Sequence, residues 1–548
     1  MQVLPLLTLA QETAESASLV PLYVICAYLA LLLMLGVVSH HFFRGTSADF
    51  FVASRSIGPF MLLMSVFGTT MTAFALVGST GKAYSAGIGV YGLMASWSGL
   101  IHSAVFFLVG IRLWAVGKRY GYMTQCQYFR DRFESPAVGY LLFPILVALI
   151  VPYLLIGILG AGAVMRGLTV GMLPDLFPGM PHPTKEGVML FVGAIPPWLT
   201  GLVICSVVLV YVFFGGVRST AWANTFQTLV FMVMGIVAFW MIAKALGGPA
   251  AASEKVLEAS PEHAAREGMI GKWQFFSYLF VPLSVGMFPH LFQHWLTARS
   301  ARTFRLTVIA HPLCIMIVWV PCILIGIWAA GHGIVAPGGN ANAILGKMVG
   351  QLVRNDLISG LLTAGILAAI MSSLDSQFMC MGTMFTQDIV VRLGGPERFT
   401  DRQKLWLGRS FVCAIVTVTY LISLVSTRGI FDLGVWCFSG YGALFPLVFA
   451  AVYWRRTTKA GIIAAIITTS ITWLYFFAQS GYGGEWLLLT ETLSKHGHED
   501  GIMPVAAIFA VCAITLVVVS LMTKPPKPET IENFFPNKPD AQGQAACN

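Results

Sequence analysis

The stretch SVFGTTMTAFALVG (residues 65–78) is apolar enough to lie in a membrane, yet it is built to break a helix halfway across. Gly68 adds backbone freedom, and Thr69, Thr70 and Thr72 carry hydroxyls that compete for backbone hydrogen bonds. Unwound backbone survives inside a bilayer only where it lines a cavity enclosed by protein, because the freed carbonyls need partners. The stretch VPLSVGMFPHLFQHW (281–295) repeats the design with Gly286 and Pro289. Taken singly, each is accounted for by a simple kink; their places in the chain point further.

Those places follow from composition. Only 10% of the 548 residues are charged and 57% are hydrophobic, with a mean hydropathy of +0.78, whereas in soluble domains about a quarter of residues are charged. Runs of about 20 apolar residues are long enough to span a bilayer. Thirteen such runs are predicted, near 19–43, 58–82, 88–116, 136–168, 194–216, 221–246, 273–296, 306–333, 345–391, 405–427, 431–454, 457–480 and 500–523. The run at 345–391 is too long for one straight crossing and is expected to break or to continue beyond the bilayer. Counted after the first span, the interrupted segments are the first and sixth helices, equivalent positions in two five-helix halves. The pattern predicts an all-α polytopic membrane protein with an inverted repeat and a transport site at mid-depth.

The chain then divides into an outside N-terminal segment (1–18), an additional helix (19–43), a first repeat (58–246), a second repeat (273–454), two accessory helices (457–523) and a tail (524–548). The net charge of +9 does not point to nucleic acid. Arg and Lys cluster in alternate loops, such as Lys118 to Arg132, Arg299 to Arg305, Arg392 to Arg409 and Arg455 to Lys459. By the positive-inside rule these loops are cytoplasmic, which puts the N-terminus outside and the C-terminus inside. The tail is polar and Pro-rich and is expected to be disordered. The ten cysteines are scattered without a CxxC pair, which suits packing better than redox or metal chemistry. No G-x-x-x-x-G-K-[ST] occurs, so an ion gradient is the expected energy source.

One further stretch breaks the apolar pattern. ILAAIMSSLDSQFM (366–379) places Asp375 among Ser372, Ser373 and Ser376 on the eighth helix of the same count. Ala369, Ser372, Ser373 and Ser376 recur at steps of three and four and share a face, with Asp375 three residues after Ser372. Small residues that let helices pack explain the serines. They do not explain the carboxylate, which costs roughly 2.5–3.5 kcal/mol at the bilayer centre on insertion scales. Hard oxygen donors suit a hard cation, so cation or proton binding is the reading.

Four motifs in order carry a family resemblance: SADFFVASRSIGPFMLLMSVFGTTMTAF, GGVRSTAWANTFQT, FQHWLTARSARTFR and LAAIMSSLDSQFMCMGTMFTQDIV. Over about residues 20 to 480 the chain resembles the sodium/solute symporter family, which implies the LeuT-type five-plus-five fold and a transporter, not an enzyme. The resemblance implies a sodium site from the carbonyls of Gly68, Met71 and Ala369 and the hydroxyls of Ser372 and Ser373. Members often keep an aspartate on the fifth core helix where this chain has Asn224. Asp375, Ser376 and Asn224 are therefore expected to form a second cation position or a protonatable relay. Sugar-carrying relatives use polar side chains where this chain has Ala75, Met94 and Phe288, so a sugar is disfavoured.

The expected substrate pocket comprises Thr70, Thr72, Phe74, Ala75, Met94, Trp97, Phe288, His290 and Gln293. Amides of the first broken helix would meet a carboxylate, and the segment IRLWAVGKRYGYMTQCQYFRDRF is similar to monocarboxylate and acetate-type members. The expected function is sodium-coupled uptake of a small organic solute bearing a carboxylate, a monocarboxylate or an amino acid, in a bacterial inner membrane. No cofactor other than Na+ as coupling ion is expected, and the partners are the solute, the ion and the lipid bilayer. Two alternatives stay open: proton coupling through Asp375, and an uncoupled facilitator or channel on the same scaffold.

Overall fold

The computed structural model describes residues 18–40, 55–181, 189–265, 269–395, 398–493 and 498–535. Nearly all of the expected outside segment 1–18, and the end of the tail from 536 onward, lie outside the described residues. The described residues are overwhelmingly helical, with two short antiparallel hairpins, Met180–Pro181 with Met189–Leu190 and Leu488–Leu493 with His498–Ile502.

Ten helices among the described residues are long and apolar enough to cross a membrane, and two bent pairs bring the number to as many as twelve. The bent pairs are α1 (Pro59–Thr70) with α2 (Phe74–Ala86), and α5 (Lys272–Gly286) with α6 (Pro289–Leu296). The other site-forming spans are α3 (Pro136–Leu168), α4 (Gly216–Ala245), α7 (Asp356–Gly394) and α8 (Ile430–Tyr453). Val20–His40 is a further apolar helix, with a shorter span-like stretch from Val20 to Gly36.

Local chemistry sets the boundaries. Pro197–Phe214 and α4 form one continuous helix except at Gly216, whose φ of 62° lets the chain turn sharply between two spans. The over-long run at 345–391 resolves into Ile344–Leu352 and α7, because Asn355 caps the new helix by accepting from the Ile358 amide at 3.0 Å. Asp500, on the second hairpin, accepts from the amides of Trp273 and Gln274 at 3.3 and 3.1 Å and so fixes the start of α5.

Burial sorts the spans. α7 and α8 are the most enclosed, while Asp401–Val425, Lys459–Gln479 and Pro504–Met522 keep most of their surface outside the core. Leu421, Val425, Ile471, Leu474 and Met522 are exposed on that outer ring, where only lipid is a compatible solvent.

The tail differs from its expected disorder over part of its length. Pro528–Phe534 is helical, Phe534 stacks on Tyr120 at 5.4 Å, and the Tyr120 hydroxyl donates to the Asn533 carbonyl at 3.0 Å. Composition registers the prolines and charges; it does not register one aromatic side chain with a receptor of rings.

Candidate ion and substrate site

The first break forms as its threonines dictate. α1 ends at Thr70, whose hydroxyl turns back to the Phe67 carbonyl at 2.8 Å, and Met71 leaves helical conformation at φ −87°, ψ 88°. Thr72 restarts the chain by accepting from the Phe74 amide at 3.0 Å, and Phe74–Gly78 winds as a π-helical turn. The halves meet at 59°. In the second break Pro289 forbids helical conformation to its predecessor, and Phe288 sits at φ −64°, ψ 116°. These halves meet at 48°.

α7 runs past the first break and supplies its hydroxyls there. Ser372 Oγ lies 2.8 Å from the Gly68 carbonyl oxygen and 3.0 Å from that of Ala369. Three members of the expected sodium set thus meet within hydrogen-bond distance, across two helices. Ser373 is buried one residue on, and its Oγ accepts from Gln377 Nε2 at 2.8 Å. α4 closes the other side, where Thr228 Oγ1 donates to the Met64 carbonyl at 3.0 Å. The approach requires glycine at 68, because a Cβ there would collide with Thr228 Oγ1.

Asp375 is fully buried, and its partners are all neutral. Tyr211 donates to Oδ2 at 3.0 Å, and Ser376 Oγ lies 3.1 Å from Oδ1. With its NH2 turned toward the carboxylate, Asn224 donates to both Asp375 oxygens at 2.9 and 3.0 Å while its own oxygen accepts from Ser376 at 2.9 Å. His294 Nε2 also lies 2.9 Å from Ser376 Oγ. The expected trio of Asp375, Ser376 and Asn224 is therefore one connected cluster, and it adjoins the first through the Ser372 carbonyl, 3.2 Å from Ser376 Oγ.

A small cavity of ≈ 40 Å³ lies beside the breaks. At about 10–15 Å³ for each water, it has room for only a few small groups. Of the residues expected in a substrate pocket, Thr70, Thr72, Phe74 and Phe288 line it, and Ala75, Met94, Trp97, His290 and Gln293 do not. The Trp97 indole instead donates to the Phe275 carbonyl at 3.0 Å, and Gln293 donates to Thr383 Oγ1 at 2.8 Å. His290 is buried with neither ring nitrogen bonded among the described residues, its ring stacked on Phe288 at 5.0 Å.

Several contributors were not identified from sequence. Ser98, Tyr153, Trp319 and Phe438 are among the other residues of the cavity wall, and Trp319 Nε1 has no hydrogen-bond partner among the described residues. Tyr211, the donor to Asp375, stands in the apolar run VVLVYVFFGG, where one hydroxyl is the only signal.

Two broken spans that meet beside a buried polar cluster, inside a sheath of lipid-facing helices, define a secondary membrane transporter. The chain belongs to the sodium:solute symporter family, whose model matches residues 50–173 and 198–469. It is thus a Na+/solute symporter by family, and not an enzyme. It is 24% identical over 547 residues to the sodium/proline symporter of Salmonella typhimurium, covering 95% of this chain and 96% of that one. It is also 24% identical to the sodium/proline symporter of Escherichia coli, covering 93% and 94%, and 23% identical to that of Staphylococcus aureus, covering 92% of each. Its structure resembles that of a Na+-coupled sialic acid symporter in a substrate-bound outward-open state, with TM-score 0.71 and 17% identity over 93% of this chain and 99% of that one. A nucleobase-cation-symport-1 family transporter in a closed conformation gives TM-score 0.51 at 13% identity, covering 88% and 97%. At these identities the two structures speak for the fold alone, the LeuT-type five-plus-five arrangement.

Proposed function

We propose that the protein couples inward sodium movement to uptake of a small carboxylate-bearing solute, a monocarboxylate or an amino acid, by alternating access. The observation that carries this reading is the contact between Ser372 Oγ and the Gly68 carbonyl beside the unwound backbone. With no ion present, the hydroxyl donates its proton to the carbonyl. An arriving sodium ion replaces that hydrogen bond: the hydroxyl turns a lone pair inward, and both oxygens coordinate the same cation. The carbonyls of Gly68, Met71 and Ala369 with the hydroxyls of Ser372 and Ser373 make a neutral oxygen set, suited to holding a monovalent ion loosely enough to release it. Because the ligands belong to α1 and α7, occupancy ties one broken helix to its scaffold and biases the conformational equilibrium.

The solute class is supported by the cavity's makeup. Aromatic walls exclude water, while the hydroxyls of Thr72 and Ser98 and the unpartnered Trp319 N–H offer hydrogen bonds to an anionic head. The relatives named as sodium/proline symporters make an amino acid a natural first candidate. The basic loops support an outside N-terminus and an inside C-terminus, and the bacterial relatives support a bacterial inner membrane.

Proton coupling is the second reading, and Asp375 favours it. A carboxylate buried among neutral groups needs either a cation or a proton to be tolerated. Uptake into proteoliposomes, with sodium or proton gradients imposed separately and with pooled monocarboxylates and amino acids including proline, decides between them. Accumulation that follows the proton gradient and ignores sodium would overturn the sodium assignment; downhill flux alone would indicate a facilitator.

A further inference from the structure

A second, larger cavity of ≈ 390 Å³ lies where the end of α3 meets the start of α8. Its wall includes Arg166 and Arg428, with Asn340, Asn342, Ser426 and Thr427 between them. Arg166 is half-buried, and its guanidinium rests on the Phe191 ring at 4.7 Å. Among the described residues no carboxylate pairs with it. Arg428 donates to the Gly481 carbonyl, and Asp432 is the acidic group nearby, shared with Lys82. Among the described residues the wall therefore carries more positive charge than its neighbours neutralise, beside amide and hydroxyl groups that can complete an oxygen's hydrogen bonds.

An aromatic pair stands between this cavity and the central one. Ile430 lines it, and the adjacent Phe431 stacks at 5.4 Å on Phe74, which lines the small cavity beside the breaks. In the orientation proposed above, this end of the bundle faces outward.

We propose that this cavity is an outer binding site for a small organic carboxylate, with Arg166 as the anchoring cation and Arg428 as the second. The planar guanidinium matches a carboxylate in a paired, two-hydrogen-bond geometry. A positively lined recess would also raise the local concentration of an anionic solute before the inner site takes it. The outward placement rests on the proposed orientation, and the substrate link rests on the carboxylate reading; the binding chemistry itself rests only on the cavity.

Trp198 lines the same cavity and is half exposed, which supplies a reporter. The full chain in detergent, in sodium-free and low-chloride buffer, is titrated with potassium propionate, with the neutral isostere propionamide and with potassium chloride, following tryptophan emission. The expected result is a saturable change with propionate that disappears in Trp198→Phe. Arg166→Gln should weaken it about tenfold or more, the usual consequence of losing a charge-assisted hydrogen bond. Arg166→Lys, which keeps the charge on a similar stem, should recover part of the affinity and controls for folding. A signal absent at millimolar propionate, equal for propionamide or chloride, or unchanged in Arg166→Gln would overturn the proposal. Because sodium is absent, the outcome stands apart from that of the sodium-coupling reading.

Discussion

The hydroxyl of Ser372 reaches the carbonyl oxygen of Gly68 across 2.8 Å, although the two residues stand 304 positions apart. Neither oxygen is charged, and in the proposed sodium site each would turn from the other to a shared cation. On that reading, helix interruption and serine face are two halves of one site.

Replacing Ser372 and Ser373 together by alanine removes two of its oxygens. At about 1 kcal/mol for each lost partner, the half-saturating sodium concentration for uptake should rise roughly thirty-fold. Sodium titration of solute uptake in proteoliposomes measures this. An unchanged sodium curve would remove the serine pair from the ion site.

Asp375→Asn separates the two coupling readings. If the carboxylate helps hold a cation, the variant takes up solute at least about tenfold more slowly and with a shallower dependence on sodium. If it carries a proton, uptake that increases as the outside pH falls in the natural protein becomes flat with pH, and the sodium curve stays put. Tyr211→Phe, which removes one donor and no charge, should shift the same quantity in the same direction by less. A variant indistinguishable from the natural protein in both titrations would leave Asp375 a structural residue.

Gly68→Ala forces a methyl against Thr228 Oγ1. Transport should fall to background, because α4 cannot relax without pulling the threonine from the Met64 carbonyl. Adding Thr228→Ala opens the needed space and should restore part of the rate. Failure of the double variant to recover any activity in a folded, membrane-inserted protein would count against steric exclusion as the cause.

Phe534→Ala tests the tail. Loss of the stacking partner of Tyr120 should free the Pro528–Phe534 helix by about 1 kcal/mol, so that a glutamate-specific protease cleaves after Glu532, inside that helix, roughly fivefold faster. Time courses of tail release measure this. Equal cleavage rates would show that the helix is held by its remaining contacts, such as the hydrogen bond between Thr530 and Glu134.

Much of this protein was legible before any tertiary contact was known. The expected runs are helical among the described residues, with ten to twelve spans against the thirteen expected, because twenty apolar residues in a row leave the backbone no other way to satisfy its hydrogen bonds in lipid. Both interruptions were visible, since proline before a turn and threonine beside glycine act on their immediate neighbours. The face shared by Ala369, Ser372, Ser373 and Ser376 follows from helical spacing alone.

The small cavity beside the breaks was less legible. Thr70, Thr72, Phe74 and Phe288 belong to the breaks themselves and so could be read from them, whereas Trp97 and Gln293 found partners elsewhere. Tyr211 meets Asp375 from a helix 164 positions away, and Arg166 and Arg428 line one cavity only because the end of α3 lies beside the start of α8.

Sequence by itself determined what this chain is: a membrane bundle, where its helices break, and which oxygens a break exposes, because those depend on bond geometry and solvation within a few residues. Tertiary structure alone decided which oxygens face one another, which hydroxyl serves the buried carboxylate and which arginines share a cavity. Those outcomes depend on how spans distant in the chain are brought to a few ångströms of separation, and no local rule carries that information.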